Sequence, residues 1–149
     1  MISLYKELTN ILKEEKRLLS ELYSVVSEER DVIVSLNLQN LEKTLRDKEA
    51  LLMKLSFWEK ERDKLLKNYG LEGKTLSEII KIHSNDGENN DISAIEEIYK
   101  SMKSLLSAIA EIHKINEQLI DRSIIHINTA IKFFETFGIE PKQKLSREA

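Results

Sequence analysis

Turn-forming residues are so scarce in this sequence that the chain has few places at which it can reverse direction. Four glycines and one proline occur in 149 residues, and the alternation of β-branched and polar residues that is typical of strands is missing. Apolar residues instead recur at intervals of three and four, as they do along one face of an α-helix. The sequence therefore predicts an all-α fold built from few, long helices.

Four helices follow from the apolar positions and from the capping residues between them. We expect them at about residues 2–36, 38–69, 75–82 and 92–137. Asn37 can cap the second helix, Gly70 can end it, and Thr75 with Glu78 forms a capping box for the third. The last helix would be roughly 70 Å long, so it must lie along the first two. The predicted fold is an elongated, coiled-coil-like antiparallel bundle of three long helices plus one short helix.

The length of the chain predicts a single domain with a short extension. We expect residues 1–138 to form one helical-bundle domain and residues 139–149, which contain Pro141, to form a flexible tail. The segment SNDGENND, residues 84–91, has one glycine and no apolar residue. It predicts an exposed, mobile loop before the last helix.

The charge balance and the absence of cysteine exclude several classes of protein. A net charge of −3 and a pI near 5.7, without a Lys/Arg cluster, argue against binding to nucleic acid, which requires a basic face. The lack of cysteine excludes disulfides and fits a reducing cytoplasm. Charged residues interrupt the N-terminal segment every few positions, so it predicts neither a signal peptide nor a membrane span. We expect a cytoplasmic protein.

Sequence patterns that carry catalysis or bind metals and cofactors are missing. The three histidines, His83, His113 and His126, are scattered, and no Glu-x-x-His pair or glycine-rich phosphate loop occurs. His113 and Glu117 lie one turn apart and predict a solvent-exposed pair. We therefore expect no cofactor, no metal and no enzymatic activity.

Two polar residues fall on apolar helix faces and predict structural roles. Arg62 lies on the seam of the second helix whether that seam follows Leu52 and Leu55 or Leu51 and Leu55, so its guanidinium should reach a carboxylate of Glu59 or of a neighbouring helix. Asn116 lies among the isoleucines of the last helix, where an amide is costly unless it is paired. Setting the register between packed helices is the favoured role of Asn116, and ligand contact is the alternative.

The C-terminal half of the last helix carries more apolar residues than one face can bury. An inner stripe that could pack internally runs through Asn116, Ile120, Ile124, Ile127 and Ile131. A second set lies about 100 to 140° away from it, where a soluble bundle normally has charge: Ile115, Leu119, Ile125, Phe133 and Phe137. This surplus can pack on the short helix, form a homodimer seam, or receive a helix of another protein.

Two segments resemble the FlgN family of flagellar type III export chaperones. The first is a leucine-rich hairpin between Leu12 and Leu66, with the second-helix sequence LEKTLRDKEALLMKLSFWEKERDKLL. The second is INEQLIDRSIIHINTAIKFF, residues 115–134, with an Asn-x-x-Leu-Ile core that begins at Asn116. Together the two matches cover most of the chain.

The resemblance implies a cytoplasmic chaperone for the hook-associated proteins of the hook–filament junction. Such a chaperone would bind their terminal helical segments, prevent premature assembly and deliver them to the cytoplasmic domain of the export gate. The resemblance places client binding on the last helix, at Ile124, Ile125, Ile127, Ile131, Phe133, Phe134 and Phe137. The residues that dock to the gate stay unassigned. The alternative is a homodimeric coiled-coil scaffold or adaptor that uses the same face.

Overall fold

The computed structural model describes residues 2–84, 89–136 and 138. These residues form helices and no strand: α1 (Ile2–Ser35), α2 (Leu38–Asn68), α3 (Leu76–His83) and α4 (Asn89–Thr136). The all-α prediction is confirmed. Helix α4 begins three residues before the predicted position, so residues 89–91 are helical instead of part of a loop. Residues 85–88 of the predicted loop and the predicted tail at 139–149 lie outside the described residues.

The predicted caps explain where the helices begin and end. The Asn37 side chain accepts a hydrogen bond from the backbone N–H of Asn40 at 3.2 Å and begins α2. The Thr75 hydroxyl accepts one from the N–H of Glu78, also at 3.2 Å, and begins α3. Gly70, with a φ of +73°, follows α2. These local interactions provide hydrogen-bond partners for backbone N–H and C=O groups that have none within the helix.

Helix α1 lies at the centre of the bundle. The backbones of α2 and α4 both pack against α1, α3 packs against α4, and in the described ranges the α2 and α4 backbones do not approach each other. Helix α2 runs antiparallel to α1, since Glu15 pairs with Arg62 and Glu29 with Lys48. Helix α4 runs parallel to α1, because the N-terminal segments of the two helices share one apolar cluster. The short helix α3 lies between the end of α2 and the start of α4 and packs at the end of the bundle where α1 begins.

Two apolar clusters hold the three long helices together. The larger one joins the N-terminal halves of α1 and α4 with the end of α2 and with Ile79 of α3; the buried residues include Leu4, Tyr5, Leu8, Leu12, Leu66, Ile95 and Met102. The smaller one consists of Leu18, Leu22, Val26 and Leu51, with Leu55, Trp58, Ile109 and Ile112 packed against it. Helix α2 therefore packs through the Leu51 and Leu55 seam, and Leu52 stays about half exposed.

Candidate functional site

Burial along α4 decreases from its N-terminal to its C-terminal half. Ile95, Ile98 and Met102 are buried in the first half of the helix, and Asn116 is the last buried residue that the structure describes in α4. Residues 117–136 are exposed or half-buried, although they contain many isoleucines and phenylalanines. At 1.5 Å per residue this segment is about 30 Å long. The C-terminal part of α4 thus presents an apolar helix face that the described bundle leaves uncovered.

A buried polar cluster joins the three long helices where this boundary falls. Asn116 Nδ2 donates hydrogen bonds to the backbone carbonyl of Val26 at 3.0 Å and to Oε1 of Glu29 at 2.8 Å. Lys48 Nζ donates to both oxygens of Glu29, at 3.4 and 3.3 Å, and lies 3.5 Å from Nδ1 of His113. Because Asn116 is 1% and Glu29 is 2% exposed, these bonds fix how α4 sits on α1. The contacts fit the register-setting role predicted for Asn116.

Histidine 113 extends this cluster to the surface of α4. Its Nε2 lies 3.0 Å from Glu117, the residue one turn later, and both side chains are exposed. A neutral imidazole that donates from Nε2 can accept from Lys48 at Nδ1, so one tautomer satisfies both neighbours. The exposed His113–Glu117 pair agrees with the sequence-based prediction. The contact with Lys48 was not predicted, because the sequence does not show which part of α2 lies next to His113.

Arg62 was predicted to pair with Glu59 or with a carboxylate of a neighbouring helix, and the structure shows the second arrangement. Its Nη1 lies 2.7 Å from Oε2 of Glu15 in α1, and no bond to Glu59 is formed. Burial raises the pKa of Glu15 above its ordinary value of 4.5, the Arg62 guanidinium partly offsets that effect, and the nearby charges of Glu59 and Asp63 add to it. The pair ties α2 to α1 far from the exposed face of α4, a position that fits the structural role predicted for Arg62.

The exposed face of α4 contains most of the predicted client-binding residues. Those that the structure leaves exposed are Ile124, Ile125, Ile127, Phe133 and Phe134. Ile131 is half-buried, and Phe137 lies outside the described residues. The rings of Phe133 and Phe134 meet edge to face with centroids 6.0 Å apart. Ile120 is also exposed, at 38%. The inner stripe is therefore fully buried only as far as Asn116, although Val32 and Ile33 of α1 still line a groove with Ile120 and Ile124.

An apolar groove lies between this face and the turn that joins α1 to α2. It has a volume of about 160 Å³ and its lining contains no charged residue: Val32, Ile33, Leu36, Asn37, Leu38, Leu41, Ile120, Ser123, Ile124 and Ile127. The hairpin side of the groove was not predicted from the sequence. Its signal was the succession Val34, Leu36 and Leu38 around a turn, where polar residues are usual. All three side chains are at least two-thirds exposed.

Leu36 has a backbone conformation that leucine rarely adopts. Its φ is +56°, and it is the one residue other than glycine with a positive φ in the described ranges. The left-handed region costs an L-residue with a Cβ about 1–2 kcal/mol. Such strain persists only where other interactions or a function maintain it. The hairpin turn is therefore a second unusual feature beside the exposed face of α4.

The short helix does not cover the apolar surplus of α4. Ile79 of α3 is fully buried against the cluster that contains Tyr5 and Ile95, and this cluster lies at the N-terminal end of α4. The exposed face begins after Asn116, at the other end of the same helix. Packing of α3 on the surplus, one of the three sequence-based alternatives, is therefore wrong, and the remaining two involve another chain.

The described residues contain neither a cluster of metal ligands nor a membrane-spanning helix. Nowhere in the described ranges do three or more His, Asp or Glu side chains come together as a metal site would need. None of the described helices is long and apolar enough to cross a membrane. The groove is lined mainly by apolar side chains, with Asn37 and Ser123 as its polar residues and no charged residue. What this arrangement can do is bury the apolar side chains of another molecule.

Comparison with known proteins identifies a family for this chain. No curated protein and no solved structure matches the chain. The family model described as FlgN protein matches residues 1–136, which include all four helices and both segments that carried the resemblance. Since this match covers well over half of the chain, the protein belongs to the FlgN family, a family of flagellar export chaperones.

Proposed function

We propose that this protein is a cytoplasmic chaperone that binds the terminal helical segments of flagellar hook-associated proteins and delivers them to the export gate. The observation that supports this function best is the uncovered apolar face of α4 after Asn116, in a member of an export-chaperone family. A client segment that later packs against its neighbours in the assembled structure has an apolar face of its own. Covering that face with α4 prevents premature assembly.

The client-binding residues of the proposal are Ile124, Ile125, Ile127, Ile131, Phe133, Phe134 and Phe137. Ile125 and Phe133 are the most exposed of those that the structure describes, at 62% and 58%. Apolar side chains at helical spacing are the anchors of helix-in-groove contacts. A specific complex buries roughly 1,200 to 2,000 Å² in total. A client that orders on binding loses part of the gain, so the complex remains releasable at the gate.

No catalytic step belongs to this mechanism. The chaperone changes which surface the client buries, and the free energy comes from apolar burial alone. Residues 1–138 act as one binding domain in this proposal, with the bundle holding α4 in place. The polar cluster around Glu29 fixes α4 on α1 immediately before the segment that binds the client. The part of the chain that contacts the export gate is not assigned.

The proposal is tested by measuring binding of a purified hook-associated protein by isothermal titration calorimetry. Replacing Phe133 by Asp puts a charge in the middle of the proposed interface, and we expect affinity to fall at least tenfold, or about 1.4 kcal/mol. Phe57→Asp is the matched control. Phe57 is 55% exposed and also contacts a neighbouring aromatic ring edge to face, 5.3 Å away, but it lies on α2. If both variants bind like the wild type, the assignment of the client site to α4 is wrong; if the wild type does not bind the client, the proposed function is wrong.

The homodimeric scaffold uses the same exposed face and makes a different prediction. Light scattering would then give a dimer that does not change when the hook-associated protein is added. The Phe133→Asp variant would be monomeric in that case, because the substituted residue lies in the dimer seam. A chaperone gives a species whose mass rises by one client on mixing.

A further inference from the structure

The turn between α1 and α2 has the same hydrogen bonds as the end of α2 but a different residue at its critical position. After α2, Gly70 N–H donates to Lys67 at 3.1 Å and Leu71 N–H donates to Leu66 at 2.8 Å. After α1, Leu36 and Asn37 make the equivalent bonds at 3.2 and 3.3 Å, to Ile33 and Val32. This is the Schellman pattern, whose left-handed position normally holds glycine. The left-handed position is Gly70 after α2 and Leu36 after α1.

The fold gains little from the Leu36 side chain. It is 70% exposed, and its neighbours across the turn, Val34 and Leu38, are 67% and 76% exposed. A strained backbone would be offset by burial if the side chain filled the core, but here most of the leucine faces solvent. Glycine or asparagine would satisfy the same turn with less strain. The stability of the free protein therefore does not explain why this position holds leucine.

The exposed side chain of Leu36 lies at an apolar groove where it can contact another molecule. Leu36 and Leu38 form one wall of the apolar groove whose opposite wall is Ile124 and Ile127 of α4. The groove, at about 160 Å³, is smaller than the roughly 300–1,000 Å³ of small-molecule sites. Its size and lack of charge suit an apolar side chain that projects from a helix. The groove is also continuous with the exposed face, because Ile124 and Ile127 belong to both.

We propose that the α1–α2 turn is the second wall of the client site, and that an amphipathic helix of the export client inserts an apolar side chain between Leu36 and Ile127. This inference rests on the proposed function, since it takes the client to lie along α4. Phe134 lies two turns beyond Ile127 on the same face. The client therefore needs an apolar residue for the groove and another about seven positions away for Phe134, with a third between them opposite Ile131.

The test replaces Leu36 by Asn, which tolerates the left-handed conformation and removes the apolar side chain. We expect the urea unfolding midpoint to stay the same or rise, and affinity for the hook-associated protein to fall about tenfold. Leu52→Asn is the control, because Leu52 is an exposed leucine of α2 outside the groove; its client affinity should stay within twofold of wild type. Leu36→Gly, which fits the turn equally well, should reproduce the loss of affinity.

Each outcome separates this inference from the proposed function. If Phe133→Asp weakens client binding and both Leu36 variants bind like the wild type, the second wall is wrong and the chaperone function stands. If the wild-type chain does not bind the client at all, both are wrong. If light scattering shows a dimer that Leu36→Asn disperses while client binding is unchanged, the groove receives a second copy of this chain, which also contradicts the inference.

Discussion

Removing the charge of Lys48 should destabilise the bundle through its partner, Glu29. In the Lys48→Met variant the aliphatic stem is kept and both hydrogen bonds to Glu29 are lost. Glu29 is 2% exposed, and the one side-chain hydrogen bond it retains in the structure is that from Asn116 at 2.8 Å. A buried carboxylate that loses its cation keeps the cost of its desolvation without the compensating attraction.

The size of the effect follows from the geometry of the pair. Removing one member of a fully buried ion pair costs about 3–5 kcal/mol. Here the Lys48 side chain is 19% exposed and its nitrogen lies 3.3 Å from the nearer oxygen, so solvent reaches one side of the pair. We expect about 2 kcal/mol for Lys48→Met, which is roughly a 30-fold change in the unfolding equilibrium.

The measurement is a double-mutant cycle in urea, followed by far-UV circular dichroism. Glu29→Gln in the Lys48→Met background removes the uncompensated charge and keeps an oxygen that accepts from Asn116. We expect the double variant to recover at least about 1 kcal/mol relative to Lys48→Met, with the same dependence on urea in all variants. A loss below about 0.5 kcal/mol in Lys48→Met, or additivity of the two changes, would refute the reasoning.

Two further predictions concern other parts of the bundle. Burial raises the pKa of Glu15 above 4.5, so the carboxyl group binds a proton more tightly in the folded state than in the unfolded state. The stability of the wild type relative to Glu15→Gln should therefore rise as pH falls from neutrality to about 4.5. A stability difference that does not change with pH would contradict this prediction. Ile79→Ala should cost about 2–4 kcal/mol in urea unfolding, because Ile79 is fully buried, whereas exposed Ile82→Ala should cost less than about 1 kcal/mol.

Local sequence patterns were sufficient to predict the helices. The spacing of apolar residues and the capping residues Asn37, Thr75 and Gly70 act within a few positions of each other, so no knowledge of the fold is needed to interpret them. The same patterns revealed that α4 has more apolar residues than one face can bury. The carboxylate that pairs with Arg62 was predicted to be Glu59 or a residue of a neighbouring helix, and in the structure it is Glu15 of α1.

The polar cluster could not be predicted in the same way. Glu29 is one of many glutamates in the helices, and nothing in its own helix distinguishes it from a solvated residue. Glu29 is buried because α2 and α4 pack beside it, and Lys48 and Asn116 of those helices bind its carboxylate. The strained Leu36 was missed for a similar reason, since sequence preference assigns glycine or asparagine to a left-handed turn.

The sequence by itself determined the secondary structure and the apolar excess of the last helix, because both depend on residues that are neighbours along the chain. Only the tertiary structure decided which part of the apolar stripe is buried. A stripe is covered as far as another helix lies beside it, and α1 and α2 reverse at residues 36–37 while α4 continues to Thr136. Helix α1 still lies beside Ile120 and Ile124 through Val32 and Ile33, and the residues of α4 beyond the turn at Leu36 extend past both other helices. The groove against Leu36 and the uncovered end of α4 follow from that difference in length, which is a property of the packed helices together.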